Sequence, residues 1–204
     1  MAPSADRRAC DECAANLAEV ELAAAVRTQI DALPVISLGS YDGWLQSLIL
    51  KHKRAPSKPL SRELARLLAE KTPETWRGLP VIWVPGPLYG DIHLVERLAL
   101  ELGRFGQRLA NTSLLTRRIN RPTTPQKALG ESKRRHREIE KLYRTRKKGT
   151  LFLSLEKNRE VILLDDVVTT GSTLLGCKQL LEEHLGLKVQ GALSIAYTPR
   201  RFEN

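Results

Sequence analysis

Two adjacent carboxylates, Asp165 and Asp166, follow four apolar residues and precede a turn rich in hydroxyl groups. The apolar run, residues 161–164, is too short for an independent helix and is typical of a strand that is covered on both faces of a parallel sheet. The turn consists of Thr169, Thr170, Gly171, Ser172 and Thr173. Beyond it, leucines recur at the spacing of a buried helical stripe until Gly186. This order predicts a strand that ends before the acids, a polar turn, and a helix.

The turn has the composition of an anion-binding site. Gly171 allows the backbone to approach a ligand closely, and the first amides of the following helix have no partner within it. Each hydrogen bond to a charged group is worth roughly 1.5–3 kcal/mol, against ~0.3–1 kcal/mol for the helix dipole, so converging amides and hydroxyls would dominate phosphate binding. Asp165 and Asp166 would repel that phosphate, but they can accept hydrogen bonds from vicinal hydroxyls or face a metal ion. A ribose 5-phosphate meets both requirements.

Other phosphate motifs do not fit this stretch. No Gly-Lys-Ser or Gly-Lys-Thr follows, as a Walker A loop requires, and the Gly-x-Gly-x-x-Gly spacing of a dinucleotide-binding turn is absent. The remaining alternative is an ordinary strand-to-helix turn whose acids cap the helix.

Length and composition are compatible with one α/β domain and a small appendage. The 204 residues are 42% hydrophobic, which is enough for a core, and no apolar run is long enough to span a membrane. The N-terminus lacks the apolar stretch of a signal peptide, so we expect a cytoplasmic protein without a membrane partner. We expect an N-terminal appendage at residues 1–33 and the main domain at residues 34–204. The appendage includes an Ala-rich helical stretch that extends to Val26.

The net charge of +10 is local. Residues 117–148 contain thirteen Lys or Arg and three Glu, so this segment alone accounts for the excess. A solvated helical face is one interpretation, and a site for pyrophosphate or single-stranded DNA is the other. The segment is long and polar, which is typical of a functional flap, and a helix is expected from Glu131 to about Tyr143.

Cys10 and Cys13 form only half of a zinc site. Structural zinc needs four ligands, and no second Cys pair or nearby His supplies the others, so we expect no zinc unless two chains share it. A homodimer therefore remains an alternative. Cys177 falls on the buried stripe of its helix.

Two further segments lead toward the acids. A strand is expected from Val35 to Tyr41, followed by a turn and a helix that ends in a basic run, where His52 is expected at the surface. A second apolar strand, residues 81–84, runs into a rigid turn formed by Pro85, Gly86, Pro87 and Leu88. Such a turn places amides at the carboxyl edge of the sheet, where ligands of open α/β folds bind.

These motifs together resemble a known family. The strand, acid pair and loop look like the phosphoribosyl pyrophosphate (PRPP) motif of type I phosphoribosyltransferases. Within that superfamily, the chain is similar to the ComF family of competence-associated phosphoribosyltransferase-like proteins. This similarity covers about residues 40–199 and includes the turn at Tyr41 with Ile49 and Lys53, the residues Asp165 to Thr173, and Arg118, Thr123, Pro125, Gln126, Leu129 and Arg134.

The resemblance implies a type I phosphoribosyltransferase-like fold, with a central parallel sheet flanked by helices and a basic flexible loop. It implies that PRPP binds with Mg²⁺, that Asp165 and Asp166 contact the ribose hydroxyls and, through the ligand, the metal, and that residues 169–173 hold the 5-phosphate. Val167 and Val168 are implied to be part of the same 5-phosphate loop. The pyrophosphate would be covered by Pro85, Gly86, Pro87 and Leu88 together with Arg117, Arg118 or Arg134.

Transfer of phosphoribose with release of pyrophosphate is the activity that this resemblance implies, and the acceptor stays unidentified. Hypoxanthine-type enzymes carry an acidic base three residues past the acid pair, whereas Thr169 stands there in this chain. The alternative is a non-catalytic PRPP sensor or DNA-binding protein that acts in DNA uptake during natural transformation. A salt titration of DNA binding would separate the two, because contacts to phosphates make affinity fall with salt.

Overall fold

The computed structural model describes residues 11–54, 57–86, 94–109, 114–117, 142–145 and 159–198. The helices are α1 (Asp11–Leu22), α2 (Gly43–Arg54), α3 (Lys58–Lys71), α4 (Leu94–Leu102) and α5 (Ser172–Leu185). The strands are β1 (Val26–Ile30), β2 (Leu33–Ser40), β3 (Pro80–Trp83), β4 (Arg108–Leu109), β5 (Leu115–Arg117), β6 (Tyr143–Thr145), β7 (Glu160–Val168) and β8 (Lys188–Tyr197).

The central sheet has the strand order β1-β2-β8-β7-β3-β4 within the described residues. β1 is antiparallel to β2, and all the remaining neighbouring pairs of this sheet are parallel. Parallel neighbours require crossover connections, which α4 provides between β3 and β4, and α5 between β7 and β8. The connection through α2 and α3 joins β2 to β3, which are separated in the sheet by β8 and β7. The carboxyl ends of β2, β8, β7 and β3 therefore meet at one edge. The predicted α/β architecture with a mostly parallel sheet is confirmed.

Helices cover both faces of this sheet. Because side chains alternate along a strand, Ile162 and Leu164 of β7 pack against α2, α3 and α4, whereas Val161 and Leu163 pack against α5. We call these two sides the α2 face and the α5 face. β5 and β6 form a separate antiparallel pair that packs on the α5 face through Leu115 and Tyr143. The edge of the sheet where the carboxyl ends of these strands meet thus lies between two apolar layers.

The predicted α5 ends as expected. The backbone N–H groups of Gly186 and Leu187 donate to the carbonyls of Glu182 and Leu181, and Gly186 has φ +63°, so a left-handed residue terminates the helix. Cys177 is fully buried on this helix, as its position on the apolar stripe predicts.

One expectation about an element needs correction, because Val26 lies in β1 instead of the N-terminal helix, and β1 pairs with β2 along its whole length. Leu142 is helical and Tyr143 begins β6, where it pairs with Arg117 of β5, so the expected helix ends within one residue of its predicted end. Most of that expected helix, residues 131–141, lies outside the described residues.

His52 is buried and is not the surface residue that its basic neighbours suggest. Its Nε2 lies 2.8 Å from Ser61 Oγ, and the Ser57 amide donates to its Nδ1 at 2.9 Å. Since Nδ1 accepts from a backbone N–H, the ring proton sits on Nε2 and donates to Ser61. The ring therefore joins the end of α2 to the start of α3.

Arg66 on α3 holds α1 against the domain. Its guanidinium pairs with Glu21 of α1 and with Glu63 and Glu70 of its own helix, at 2.6–3.0 Å. We expect Arg66→Met to lower the free energy of unfolding by about 1–2 kcal/mol, because one substitution leaves three neighbouring carboxylates without their shared cation. Urea unfolding at low and high salt measures this loss, which salt should reduce.

Arg77→Met is the matched control for that experiment. Arg77 makes a single pair with Glu74, and both side chains are more than half exposed. Its replacement should cost at most about 0.5 kcal/mol. Equal losses for the two variants would contradict a special role of Arg66.

None of the helices in the described part of the chain has the length and apolar character needed to cross a membrane.

Candidate functional site

The acid pair lies inside β7, not in the turn after it. Asp165 pairs with Ser194 of β8, and the pairing continues to Val168 and Tyr197. The expected end of the strand at Leu164 is therefore wrong by four residues. The reason is that β8 continues alongside and satisfies the backbone of the polar residues, which a local pattern of apolar side chains cannot reveal.

Each carboxylate accepts a hydrogen bond from the amide that follows it. The Asp166 amide donates to Asp165 Oδ1 at 2.9 Å, and the Val167 amide donates to Asp166 Oδ1 at 2.7 Å. Asp166 Oδ2 also lies 2.8 Å from Lys53 Nζ at the end of α2. These contacts fix both side chains at the carboxyl edge of the sheet.

The two carboxylates lie toward opposite faces. Asp166 meets Lys53 on the α2 face. Asp165 has the strand parity of Leu163, which packs on the α5 face, and its charge adds to the raised pKa of the buried Cys177 thiol on that face. Burial raises the pKa of both the Cys177 thiol and the Tyr143 phenol, so both are neutral below the acid pair. Asp165 and Asp166 thus lie toward opposite faces of the sheet at its carboxyl edge.

Burial raises the pKa of Asp165 to about 7 from its ordinary 3.8, and the neighbouring Asp166 carboxylate adds to the rise. The hydrogen bond from the Asp166 amide and the charge of Lys53 oppose it. Near neutral pH, Asp165 is therefore present both as the acid and as the carboxylate. It can donate a hydrogen bond in one form and accept in the other.

The predicted phosphate turn joins β7 to α5 through a left-handed residue. Thr169 and Thr170 are exposed, whereas Gly171 is buried with φ +75°. Thr170 Oγ1 and Ser172 Oγ are 2.9 Å apart, so the hydroxyls of the turn share a hydrogen bond. The first amides of α5 point out of the helix beside them. Donors therefore gather on the α5 face, directly after the acids.

The turn after β3 lies beside the acids at the same edge of the sheet, because β3 is a neighbour of β7. The Val84 amide donates to the Leu164 carbonyl at 2.9 Å, which fixes the start of that turn beside the residue preceding Asp165. Pro85 and Gly86 follow and are partly exposed. Pro87, Leu88, Arg118 and Arg134 lie outside the described residues, as does most of the basic segment 117–148, so their predicted contacts stay predictions.

Of the predicted arginines, Arg117 is described. It stands opposite Tyr143 in the β5–β6 pair. Burial is the main reason for the raised pKa of Tyr143, and the charge of Arg117 opposes that rise while Asp165 adds to it. Arg117 is thus on the same side of the edge as Asp165 and the phosphate turn.

Lys53 is a site residue for which the sequence predicts no role, although it is among the residues similar to the ComF family. A cation in the last turn of a helix is ordinary, because it complements the helix dipole. The α2 helix starts three residues after the end of β2, and the Tyr41 amide between them donates to the Tyr197 carbonyl of β8. The last turn of α2 lies beside β7, where Lys53 contacts Asp166. Only the fold brings Lys53 to Asp166.

No protein-family model and no curated protein matches this chain.

A depression of about 260 Å³ lies elsewhere, at the amino ends of β3 and β4. Its lining includes Arg66, Glu70, Arg77, Phe105 and Gln107. Arg77 precedes β3 and Gln107 precedes β4, so this depression opens at the sheet edge opposite the acids. It does not include any of the predicted site residues.

Metal binding at the acids would need ligand oxygens. Among the residues that the structure describes, no three acidic, His or Cys side chains come together as a metal site. Asp165 and Asp166 offer the hard oxygen donors that Mg²⁺ prefers, but a six-coordinate ion would take its other ligands from water and a bound phosphate. Cys10 is outside the described residues, as is the Cys13 side chain.

The raised pKa of Asp165 leads to a prediction for stability. The unfolded chain releases this proton near pH 4 and the folded chain only near pH 7, so the folded state is favoured at low pH and loses that advantage as the pH rises through 7. Asp165→Asn cannot titrate. Going from pH 5 to pH 8, we expect the variant to gain about 2 kcal/mol relative to wild type in urea unfolding.

Asp31→Asn is the control for the loss of one carboxylate, because Asp31 is exposed and its φ of +51° suits asparagine. Its difference from wild type over the same pH range is the baseline for the removal of one exposed carboxylate. If the Asp165→Asn difference does not exceed that baseline, the carboxyl of Asp165 is not protonated near neutral pH.

Proposed function

We propose that this chain is a PRPP-binding phosphoribosyltransferase-like protein of the ComF type. It transfers phosphoribose to an acceptor and releases pyrophosphate. The finer fold that belongs to this proposal is that of the type I phosphoribosyltransferases. Cytoplasmic localisation belongs to it as well.

The arrangement of charge around β7 is the observation that supports the proposal. Hydroxyls and helix amides gather after Gly171 on the α5 face, an ammonium stands at Lys53 on the α2 face, and the two carboxylates lie between them. A ligand with an anionic group at each end and hydroxyls in the middle is complementary to this order. PRPP has that chemistry, since a ribose diol separates its 5-phosphate from its pyrophosphate.

In this proposal, each of the site residues at the carboxyl edge of the sheet has a role. Residues 169–173 donate to the 5-phosphate through hydroxyls and amides. Asp165 and Asp166 accept hydrogen bonds from the ribose hydroxyls and hold the ring still, which lowers the entropic part of the barrier. The Gly86 amide, in the turn after β3, offsets charge on the pyrophosphate, and Arg117, on the α5 face with the phosphate turn, adds positive charge beside the 5-phosphate.

In the transfer, the bond between ribose C1 and the pyrophosphate oxygen breaks as the acceptor bond forms, and the ring carries positive charge in between. The carboxylates of Asp165 and Asp166 stabilise that charge. Asp165 and Asp166 would hold Mg²⁺ indirectly, through the bound ligand, and the ion would offset negative charge on the leaving group. Asp165, with a pKa of about 7, can accept a proton from the acceptor at neutral pH.

Calorimetry with PRPP and Mg²⁺ tests binding, and pyrophosphate release over a panel of bases and amines tests transfer. We expect PRPP to bind with Kd below about 1 mM and at least one acceptor to release pyrophosphate. Binding without release for any acceptor would leave a sensor, and absence of binding would exclude both.

A further inference from the structure

We propose that Lys53 is a ligand-binding residue that exchanges the Asp166 carboxylate for the pyrophosphate of the bound ligand. This inference rests on the proposed function and adds to it a contact on the α2 face. The Lys53 ammonium lies 2.8 Å from Asp166 Oδ2.

The ammonium is accessible for such an exchange. The Lys53 side chain is 43% exposed, whereas Asp166 is 19% exposed. An ammonium has three donors, and the pair with one carboxylate oxygen leaves others for a ligand that approaches from solvent. A phosphate oxygen is a suitable acceptor for a compact, mobile cation.

The backbone that carries Lys53 is held in place. The neighbouring His52 is buried and joins Ser57 and Ser61 through both ring nitrogens, so the corner between α2 and α3 is fixed. At its other end, α2 starts at the turn whose Tyr41 amide is bonded to Tyr197 of β8. The side chain of Lys53 can therefore move by a few ångströms while its backbone stays in place.

The exchange is favoured because the ribose hydroxyls of the ligand replace Lys53 as partners of the Asp166 carboxylate. Before binding, the ammonium offsets the charge of two adjacent carboxylates. When ribose hydroxyls donate to Asp166, that carboxylate has new partners, and the ammonium is released toward the anionic group on the same face. The helix dipole explains why cations occur at this helix end, but not why one of them is aimed at Asp166.

Four proteins and three ligands test this proposal: wild type, Lys53→Met, Lys53→Arg and Lys51→Met, each titrated by calorimetry with PRPP, ribose 5-phosphate and pyrophosphate in the presence of Mg²⁺. Lys51 is the matched control because it is exposed on the same helix, about 200° around the axis from Lys53. Thermal unfolding of each variant verifies that the fold is retained.

We expect Lys53→Met to weaken PRPP binding about ten- to hundredfold and ribose 5-phosphate binding less than about threefold. Lys53→Arg should restore most of the PRPP affinity, and Lys51→Met should behave as wild type. Equal losses for both sugar phosphates would mean that Lys53 only balances the acids, and would overturn the proposal. So would an unchanged PRPP affinity.

The outcome for pyrophosphate alone separates this proposal from the proposed function. If wild type does not bind PRPP, the proposed function fails. Pyrophosphate binding that still depends on Lys53 and not on Lys51 would then support the anion contact, whereas equal or absent binding would overturn it.

Discussion

Replacing Asp165 and Asp166 together by asparagine should abolish PRPP binding, with an affinity loss of at least about 100-fold. Two hydrogen bonds from ribose hydroxyls to carboxylates are lost, each worth roughly 1.5–3 kcal/mol. Simple electrostatics gives the opposite sign, because removing two negative charges should improve the binding of a polyanion. Calorimetry with PRPP and Mg²⁺ therefore distinguishes hydroxyl recognition from mere proximity of charge.

The matched control removes the same charge at exposed positions. Glu19→Gln with Glu74→Gln changes two exposed acids, of which Glu19 lies on α1 and Glu74 lies just before β3, at the sheet edge opposite the acid pair. This double variant should bind PRPP within about twofold of wild type, since solvent and salt screen distant charges. Tighter binding by the Asp165/Asp166 double variant would show that the carboxylates do not hold the sugar.

Gly171→Ala should lower the free energy of unfolding by about 3 kcal/mol. The residue has φ +75°, where a side chain costs roughly 1–2 kcal/mol. A Cβ there would also overlap with Cδ1 and Cγ2 of Ile30, and such overpacking costs typically 1–3 kcal/mol. Urea unfolding measures the sum, and PRPP binding should weaken as the turn shifts.

Gly43→Ala separates the two contributions. Gly43 has φ +46° with no atom within 4 Å of a Cβ, so its replacement should cost about 1 kcal/mol from backbone strain alone. Adding Ile30→Ala to Gly171→Ala should then cost less than the sum of the two single changes, because the contact is relieved. If both glycine variants lose the same stability, the contact with Ile30 is absent.

The elements that were predicted well are those whose apolar residues carry the whole signal. β3 contains a continuous apolar run, and α5 has a stripe and a terminal glycine, so local sequence determines them, as it determines the apolar first part of β7. β1 has mixed composition and β4 has two residues. These two form by pairing with distant strands, which no local pattern encodes.

The same division applies to the site. The acid pair and the hydroxyl-rich turn are adjacent in sequence, so their chemistry can be predicted from residue types. The Lys53 contact and the pKa of Asp165 come from packing between distant segments. The burial of His52 is of this second kind, because its partner Ser61 belongs to the next helix.

A backbone amide NMR titration with PRPP and Mg²⁺ tests most directly whether a sugar phosphate binds where β7 meets α5. The largest shift changes are expected at residues 165–173, with further changes at Gly86 and at Lys53. Inorganic phosphate should affect residues 169–173 but not the acids. Changes confined to the depression at Arg77 and Gln107, or no changes at millimolar PRPP, would contradict the proposed site.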